Sequence, residues 1–77
     1  MDDSLKQTLA QEIKQASDMQ SLNQIKVNYF GKNGIITKMN EQLKEMDDEH
    51  KKEYGVNLNN LKSYFLEMFT NRFNELN

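Results

Sequence analysis

A short segment between two amphipathic stretches, Asn28 to Thr37, carries the residue types best suited to binding chemistry in this chain. It places Gly31 and Gly34 on either side of Lys32. Glycine tolerates positive φ angles, so we expect both glycines to shape a tight turn that ends one helix and starts another. Lysine ammonium groups beside such a turn suit phosphate oxygens, and a plain helix-to-helix turn is the alternative interpretation.

Charge is unevenly distributed along the chain, although the net charge at pH 7 is only -2. Between residues 22 and 44, four lysines against Glu41 alone give a local charge of +3. Between residues 45 and 53, five acidic residues against two lysines give -3. This layout favours a polyanion near the glycines, with a merely solvated helical surface as the alternative. The lysines of the positive segment are Lys26, Lys32, Lys38 and Lys44.

The sequence contains few residues that could form a catalytic site or bind a metal ion. His50 is the only histidine, and Glu49 and Glu53 beside it supply too few ligands for a closed metal site. The glycine segment lacks the length and the strand context of a nucleotide-binding phosphate loop. Without a nucleophile, a base and a group to orient them, we predict that this chain alone is not an enzyme and holds no cofactor.

The composition predicts an all-α domain. The 77 residues include no proline and only three glycines, and residues that favour helices abound. The chain has no cysteine, which fits a cytoplasmic location. It has no apolar run long enough for a membrane span or a signal peptide. We therefore expect one small soluble domain over residues 1–77.

Apolar periodicity predicts four helices, of which the first two precede the glycine turn. Ser4, with Gln7 three residues later, matches a capping box for the first helix. Either Asp18 or Ser21 caps the second helix, and Gly31 ends it. The predicted core residues of these two helices are Leu5, Leu9, Ile13, Ala16, Leu22, Ile25 and Tyr29.

The third and fourth predicted helices follow the turn. Thr37 is an alternative cap for the third helix if the turn is longer. Asp47 caps a long fourth helix, Asp48 to Leu76, in which Gly55 is the weak point. This helix would span roughly 43 Å, so we expect it to pair antiparallel with the earlier helices. The predicted core residues here are Ile35, Ile36, Met39, Leu43, Met46, Tyr54, Leu58, Leu61, Phe65, Met68 or Phe69, and Leu76.

An aromatic stripe runs along the fourth predicted helix. Phe65, Phe69 and Phe73 recur at four-residue spacing, so they lie on one face. We interpret the stripe as core, because base-stacking platforms usually lie on exposed loops or sheets. A base-stacking surface is the alternative.

Two of these motifs resemble a known family. The run Tyr-Phe-Gly-Lys-Asn-Gly at residues 29–34, followed by Thr37, is similar to a Tyr-Leu-Gly-Lys-Lys-Gly-x-Leu-Thr pattern. That pattern is found in the amino-terminal region of the bacterial phenylalanyl-tRNA synthetase alpha subunit. Gly55, Asn59 and Lys62 also match a Gly-x-x-x-Asn-x-x-Lys pattern on the long helix of that family. The resemblance covers about residues 5 to 76.

The chain departs from the family pattern at three places. Asn33 stands in place of a second lysine, which removes one charge and weakens the case for phosphate binding at the turn. Phe30 replaces the usual leucine, which is a tolerable apolar exchange. Asp47 and Asp48 stand where the family often has two prolines, and aspartate preserves a workable helix start.

The resemblance implies an antiparallel helical arm of three to four helices, with one long C-terminal helix, that contacts tRNA. The implied partners are tRNA(Phe) and, through the rest of the alpha subunit, the beta subunit in a heterotetramer of two alpha and two beta subunits. The ATP, phenylalanine and magnesium sites of that enzyme lie in a catalytic domain that is absent from this chain. Ending without a glycine cap, the chain looks like a fragment of the larger subunit.

In such an arm, the lysines contact phosphates, and Gly31 and Gly34 shape the tip. Double-helical RNA is recognised largely through its shape, phosphates and 2′-hydroxyls, which suits a rigid hairpin with scattered lysines. The competing hypothesis is a stand-alone helical module whose apolar seam binds a partner helix, with little dependence on salt. The candidate tRNA contacts are Lys26, Lys32, Lys38 and, by motif, Lys62.

Overall fold

A computed structural model describes residues 3–77, which form four α-helices. Over this range there is no strand, so the all-α prediction is confirmed. The domain is a rod of 42 × 22 × 18 Å, and its long axis matches the expected length of the last helix. No described helix is both long and apolar enough to cross a bilayer. The helices are α1 (Asp3–Gln15), α2 (Met19–Phe30), α3 (Ile35–Lys44) and α4 (Asp48–Leu76).

Two aspartates begin helices as the sequence predicts. The Asp18 carboxylate accepts a hydrogen bond from the Ser21 amide at 2.7 Å at the start of α2. The Asp47 carboxylate accepts one from the His50 amide at 2.9 Å at the start of α4. The predicted cap at Ser4 is wrong, because α1 begins at Asp3 and already includes Ser4. Asp3 places a carboxylate in the first turn, where the helix dipole favours it.

Helix α2 runs antiparallel to α4. The rings of Phe30 and Phe65 lie 5.0 Å apart between centroids, and the Lys26 ammonium lies 5.6 Å from the Phe69 ring centroid. The contact four residues earlier in α2, at Lys26, is therefore made four residues later in α4, at Phe69, which is the pattern of antiparallel helices.

Helix α3 is also antiparallel to α4, and the two form a hairpin. The Lys62 ammonium donates to the Asn40 side-chain oxygen at 2.9 Å. Nearer the start of α4, the Tyr54 hydroxyl donates to the Gln42 side-chain oxygen at 3.2 Å. These pairs confirm the predicted antiparallel hairpin and place the α3–α4 connection at one end of the rod.

Helix α1, unlike the other two, runs parallel to α4. The Lys6 ammonium lies 5.7 Å from the Tyr64 ring centroid, and the Arg72 guanidinium donates twice to the Ala16 carbonyl, at 2.7 and 3.0 Å. The expectation that α4 is antiparallel to every earlier helix is therefore wrong for α1. The reason is geometric: the short corner after α1 reverses the chain, and α2 is already antiparallel to α4.

A single core joins the four helices. Phe65 is fully buried, with the rings of Phe30, Tyr29 and Phe69 at centroid distances of 5.0 to 6.0 Å. The Tyr29 hydroxyl donates to the Glu12 carboxylate at 2.7 Å, and burial raises the pKa of Tyr29 above its usual range. The buried hydrophobic residues are Leu9, Ile13, Ala16, Leu22, Ile25, Tyr29, Ile36, Leu58, Leu61 and Phe65.

Two predicted core residues are exposed instead. Ile35 is 42% exposed, since it begins α3 and its neighbour Ile36 takes the inward direction. Phe73 is 37% exposed, although its ring stacks 6.4 Å from that of Phe69. The aromatic stripe is thus core at Phe65 and grades into surface toward the end of α4.

Candidate functional site

The glycine turn connects α2 to α3 at mid-length of the rod. Phe30, just before the turn, packs on Phe65, which lies about 26 Å along α4 from Asp48. The expectation that the glycines shape the tip is therefore wrong. Because α2 and α3 both run antiparallel to α4, the turn between them preserves the direction of the chain. The tip is the α3–α4 connection, residues 45–47.

The two glycines are needed for space, not for a positive φ. Gly31 has φ -71° and Gly34 has φ -70°, which side chains with a Cβ also adopt. A Cβ on Gly31 would instead lie 2.5 Å from the Val27 carbonyl oxygen. A Cβ on Gly34 would lie 2.5 Å from the Tyr29 carbonyl oxygen. Both distances are too short for a carbon atom beside a carbonyl oxygen. Glycine is therefore needed at both positions because the backbone of the turn packs closely against that of α2.

Hydrogen bonds within the turn converge on the Gly31 carbonyl. The Thr37 hydroxyl donates to it at 2.6 Å, and the Gly34 amide donates to it at 3.0 Å. The Gly31 amide donates to the Val27 carbonyl at 2.8 Å and ends α2, as predicted. Thr37 is therefore inside α3 and ties its first turn to Gly31; the alternative prediction, that Thr37 caps α3, is wrong.

The start of α3 differs from the starts of α2 and α4. Its N-cap is Gly34, and no side chain accepts a hydrogen bond from its first turn. Amide groups without a side-chain acceptor, together with the positive end of the helix dipole, favour a nearby anion. At this helix start Gly34 and Ile36 are buried, and Ile35 is exposed. Lys32 precedes this helix end, Lys38 follows it, and both side chains are exposed.

The other two candidate lysines have different surroundings. Lys26 is exposed, and its ammonium lies over the Phe69 ring. Lys62 is half-buried, and its bond to Asn40 links α4 to α3. We conclude that Lys62 has a structural partner, whereas Lys32 and Lys38 are the lysines placed at the uncapped helix end.

Two residues that the sequence interpretation missed, Val27 and Asn28, lie beside the turn. A shallow depression of about 360 Å³ is lined by Val27, Asn28, Lys32, Asn33 and Gly34. Val27 is 58% exposed here. The helical spacing of α2 places Val27 away from its buried face, so an exposed valine beside the turn could have been predicted from the sequence. The depression therefore combines the aliphatic side chain of Val27, the side-chain amides of Asn28 and Asn33, and the ammonium group of Lys32.

The tip carries the opposite charge. A depression of about 530 Å³ there is lined by three acidic residues and by Met46, His50, Tyr54 and Asn57. The His50 ring nitrogen Nδ1 lies 2.8 Å from the Asp47 carboxylate. Hydrogen bonds from the His50 backbone and then its side chain hold the pKa of Asp47 below its usual value. No described cluster of three His, Cys, Asp or Glu residues is arranged to hold a metal. This larger depression is a poor site for a polyanion.

Comparison with known proteins gives matches over most of the chain. Residues 17–77 match the family model described as "Aminoacyl tRNA synthetase class II, N-terminal domain". The chain is 41% identical over 70 residues to the phenylalanine-tRNA ligase alpha subunit of Petrotoga mobilis, covering 90% of this chain and 20% of that protein. It is 34% identical over 70 residues to the corresponding Campylobacter jejuni protein, covering 91% of this chain and 21% of that protein. The comparison with solved structures gave no match.

These relatives are much longer than the chain. It spans about a fifth of the length of each of the two relatives above. The matched region includes the glycine turn and all of α2, α3 and α4. The resemblance drawn from the Tyr-Phe-Gly-Lys-Asn-Gly run is therefore confirmed, and the chain belongs to the aminoacyl-tRNA synthetase class II N-terminal domain family.

Proposed function

We propose that this chain is the tRNA-contacting amino-terminal arm of a phenylalanine-tRNA ligase alpha subunit. In this role it positions tRNA(Phe) for ATP-dependent aminoacylation in the cytoplasm. The chemistry, with ATP and magnesium, belongs to a catalytic domain outside this chain, and the beta subunit joins through the rest of the alpha subunit in an assembly of two alpha and two beta subunits. Family membership and the length of the relatives support this assignment.

The observation that carries the proposal is the lysine-flanked, uncapped start of α3. Aspartates satisfy the first turns of α2 and α4, so an anion would gain little there. At α3 the amide groups have no side-chain acceptor, and Lys32 and Lys38 add positive charge. A phosphate oxygen is the ligand that satisfies both features. Lys26 extends the contact along α2, and Lys62 contributes least because it already bonds Asn40.

A charge-reversal titration tests the proposal. The double variant Lys32→Glu/Lys38→Glu is compared with Lys51→Glu/Lys52→Glu at the tip, which changes the net charge equally. All four lysines are exposed and helical or in a turn, so both variants should fold. Binding of each protein to tRNA(Phe) is measured by fluorescence anisotropy at several salt concentrations.

We expect the original chain to bind with an affinity that falls steeply with salt. The turn variant should bind more weakly, with a salt slope smaller by about one per lost lysine. The tip variant should retain the slope of the original chain. Equal loss in both variants would show that only net charge matters and would contradict the assignment of Lys32 and Lys38.

A second test uses the assembled synthetase that the proposal implies. Introducing Lys32→Glu/Lys38→Glu should raise KM for tRNA(Phe) while leaving KM for ATP and phenylalanine unchanged, because the arm contacts neither small substrate. Deleting the arm should have a larger effect of the same kind. Unchanged tRNA kinetics after deletion would overturn the proposed role.

A further inference from the structure

One face of α4 lies outside the core and carries no charge. Six exposed residues recur along it at alternating spacings of three and four: Val56, Asn59, Ser63, Leu66, Thr70 and Phe73. We call these six residues the α4 seam. Val56 is 57% exposed, Leu66 is 52% exposed and Phe73 is 37% exposed.

The spacing of the seam is that of a coiled coil. Residues repeated at three and four positions follow a 3.5-residue period, which keeps them facing a neighbouring helix along its length. The seam spans about 26 Å from Val56 to Phe73. The faces that α4 presents to the other helices are different, since they include the buried residues Leu58, Leu61 and Phe65.

We propose that the α4 seam pairs with the same seam of a second copy of this chain, in parallel orientation. The absence of charge matters here, because in a parallel two-fold pair each seam residue meets its own copy. Leu66 meets Leu66 and Phe73 meets Phe73, whereas any charged residue would repel itself. The polar residues Asn59, Ser63 and Thr70 keep the pair weak and fix its register.

Parallel pairing also places opposite charges beside the seam, those of Lys62 and Glu67, next to each other. With Ser63 and Thr70 at heptad position a, Lys62 occupies position g and Glu67 occupies position e of the next heptad. In a parallel coiled coil these positions face each other across the two chains. Lys62 bonds Asn40 within one copy, but an ammonium group has three donors and can also bind Glu67 of the second copy. This inference does not rest on the proposed tRNA role.

The oligomeric state tests the pairing. Sedimentation equilibrium over a wide range of protein concentration should show the mass rising from 9.1 kDa toward twice that value. Leu66→Lys should raise the dissociation constant more than about tenfold, because two like charges would meet at the dyad. The matched control is Val27→Lys, which exchanges an equally exposed aliphatic residue on α2. It should leave the association unchanged.

Exchanging the charges of Glu67 and Lys62 distinguishes a loss of pairing from a general loss of folding. Glu67→Lys should weaken the association, and adding Lys62→Glu should restore it. Because the chain has no cysteine, Thr70→Cys introduces a unique thiol that should form a disulfide-linked dimer on mild oxidation, whereas Glu75→Cys should not. A monomer at every concentration would overturn the proposal. Association without the Thr70→Cys cross-link would overturn the parallel orientation.

Discussion

The turn before α3 and the turn before α4 differ in how the following helix begins. Each must join one helix to the start of another. At the tip, Asp47 caps α4 through its side chain and acidic residues surround it. At mid-length, Gly34 begins α3 without a side-chain cap, and lysines flank the helix start.

The proposed tRNA contact at the glycine turn is based on this difference. At the start of α4 the Asp47 carboxylate already accepts a hydrogen bond from the His50 amide, and its negative charge disfavours a second anion. At the start of α3 no side chain accepts a hydrogen bond from the first turn; Gly34 and Ile36 are buried there, and Ile35 is exposed. The glycines make this arrangement possible because they remove the Cβ atoms that would otherwise strike the backbone of α2.

Gly34→Ala should have the largest effect, since its Cβ would lie 2.5 Å from the Tyr29 carbonyl oxygen, a backbone atom without freedom to move. We expect a loss of about 3 kcal/mol in the free energy of unfolding, measured by urea denaturation. The control is Gly55→Ala within α4, where the nearest atom to the new Cβ is the flexible Leu43 side chain at 3.9 Å. That variant should gain about 0.5–1 kcal/mol, because alanine favours the helix. Similar losses at both positions would contradict the space argument.

Thr37→Val should have an intermediate effect. It removes the hydroxyl that donates to the Gly31 carbonyl at 2.6 Å while preserving the shape of the side chain. We expect a loss of about 1 kcal/mol in unfolding free energy. Thr37→Ser keeps the hydroxyl and should lose less. If the two variants are equally stable, the hydrogen bond does not hold the turn.

Asp47→Ala should have the smallest effect and one that depends on pH. The hydrogen bonds from His50 lower the pKa of Asp47 in the folded state, so its stabilising contribution is present above the unfolded value of 3.8 and is lost as the pH falls through the folded pKa. The original chain should therefore have the higher Tm at pH 6, and the difference should shrink below pH 3.8. Asp48→Ala, which leaves the cap in place, is the control. A difference in Tm that does not vary with pH would exclude the ionised cap.

Local rules predicted the helices well. Asp18, Gly31 and Asp47 act at the helix ends as their types and positions indicate, because caps depend on neighbouring residues only. The bounds of α4 also follow, since its start has a strong cap and its apolar period is long. Burial at Phe65 was predictable from the same period.

Long-range geometry was not predictable. The periodicity of α2 and α3 does not reveal whether the turn between them reverses the chain, so the glycines were expected at the tip. The parallel direction of α1 follows from two successive reversals that no local pattern encodes. The contact between Lys62 and Asn40 joins residues 22 positions apart, so the sequence did not reveal that this candidate phosphate contact also links α4 to α3. The role of Gly34 likewise depends on the path of the Tyr29 backbone.

A residue-by-residue NMR titration with tRNA(Phe) would locate the tRNA contact on this domain. At 77 residues the chain is small enough for amide signals to be followed individually. We expect the amide signals from Lys32 to Lys38 to shift or broaden first, while those at Asp47 and His50 change little. Leading changes at the tip, or equal changes at both turns, would contradict the claim that the glycine turn is the tRNA contact.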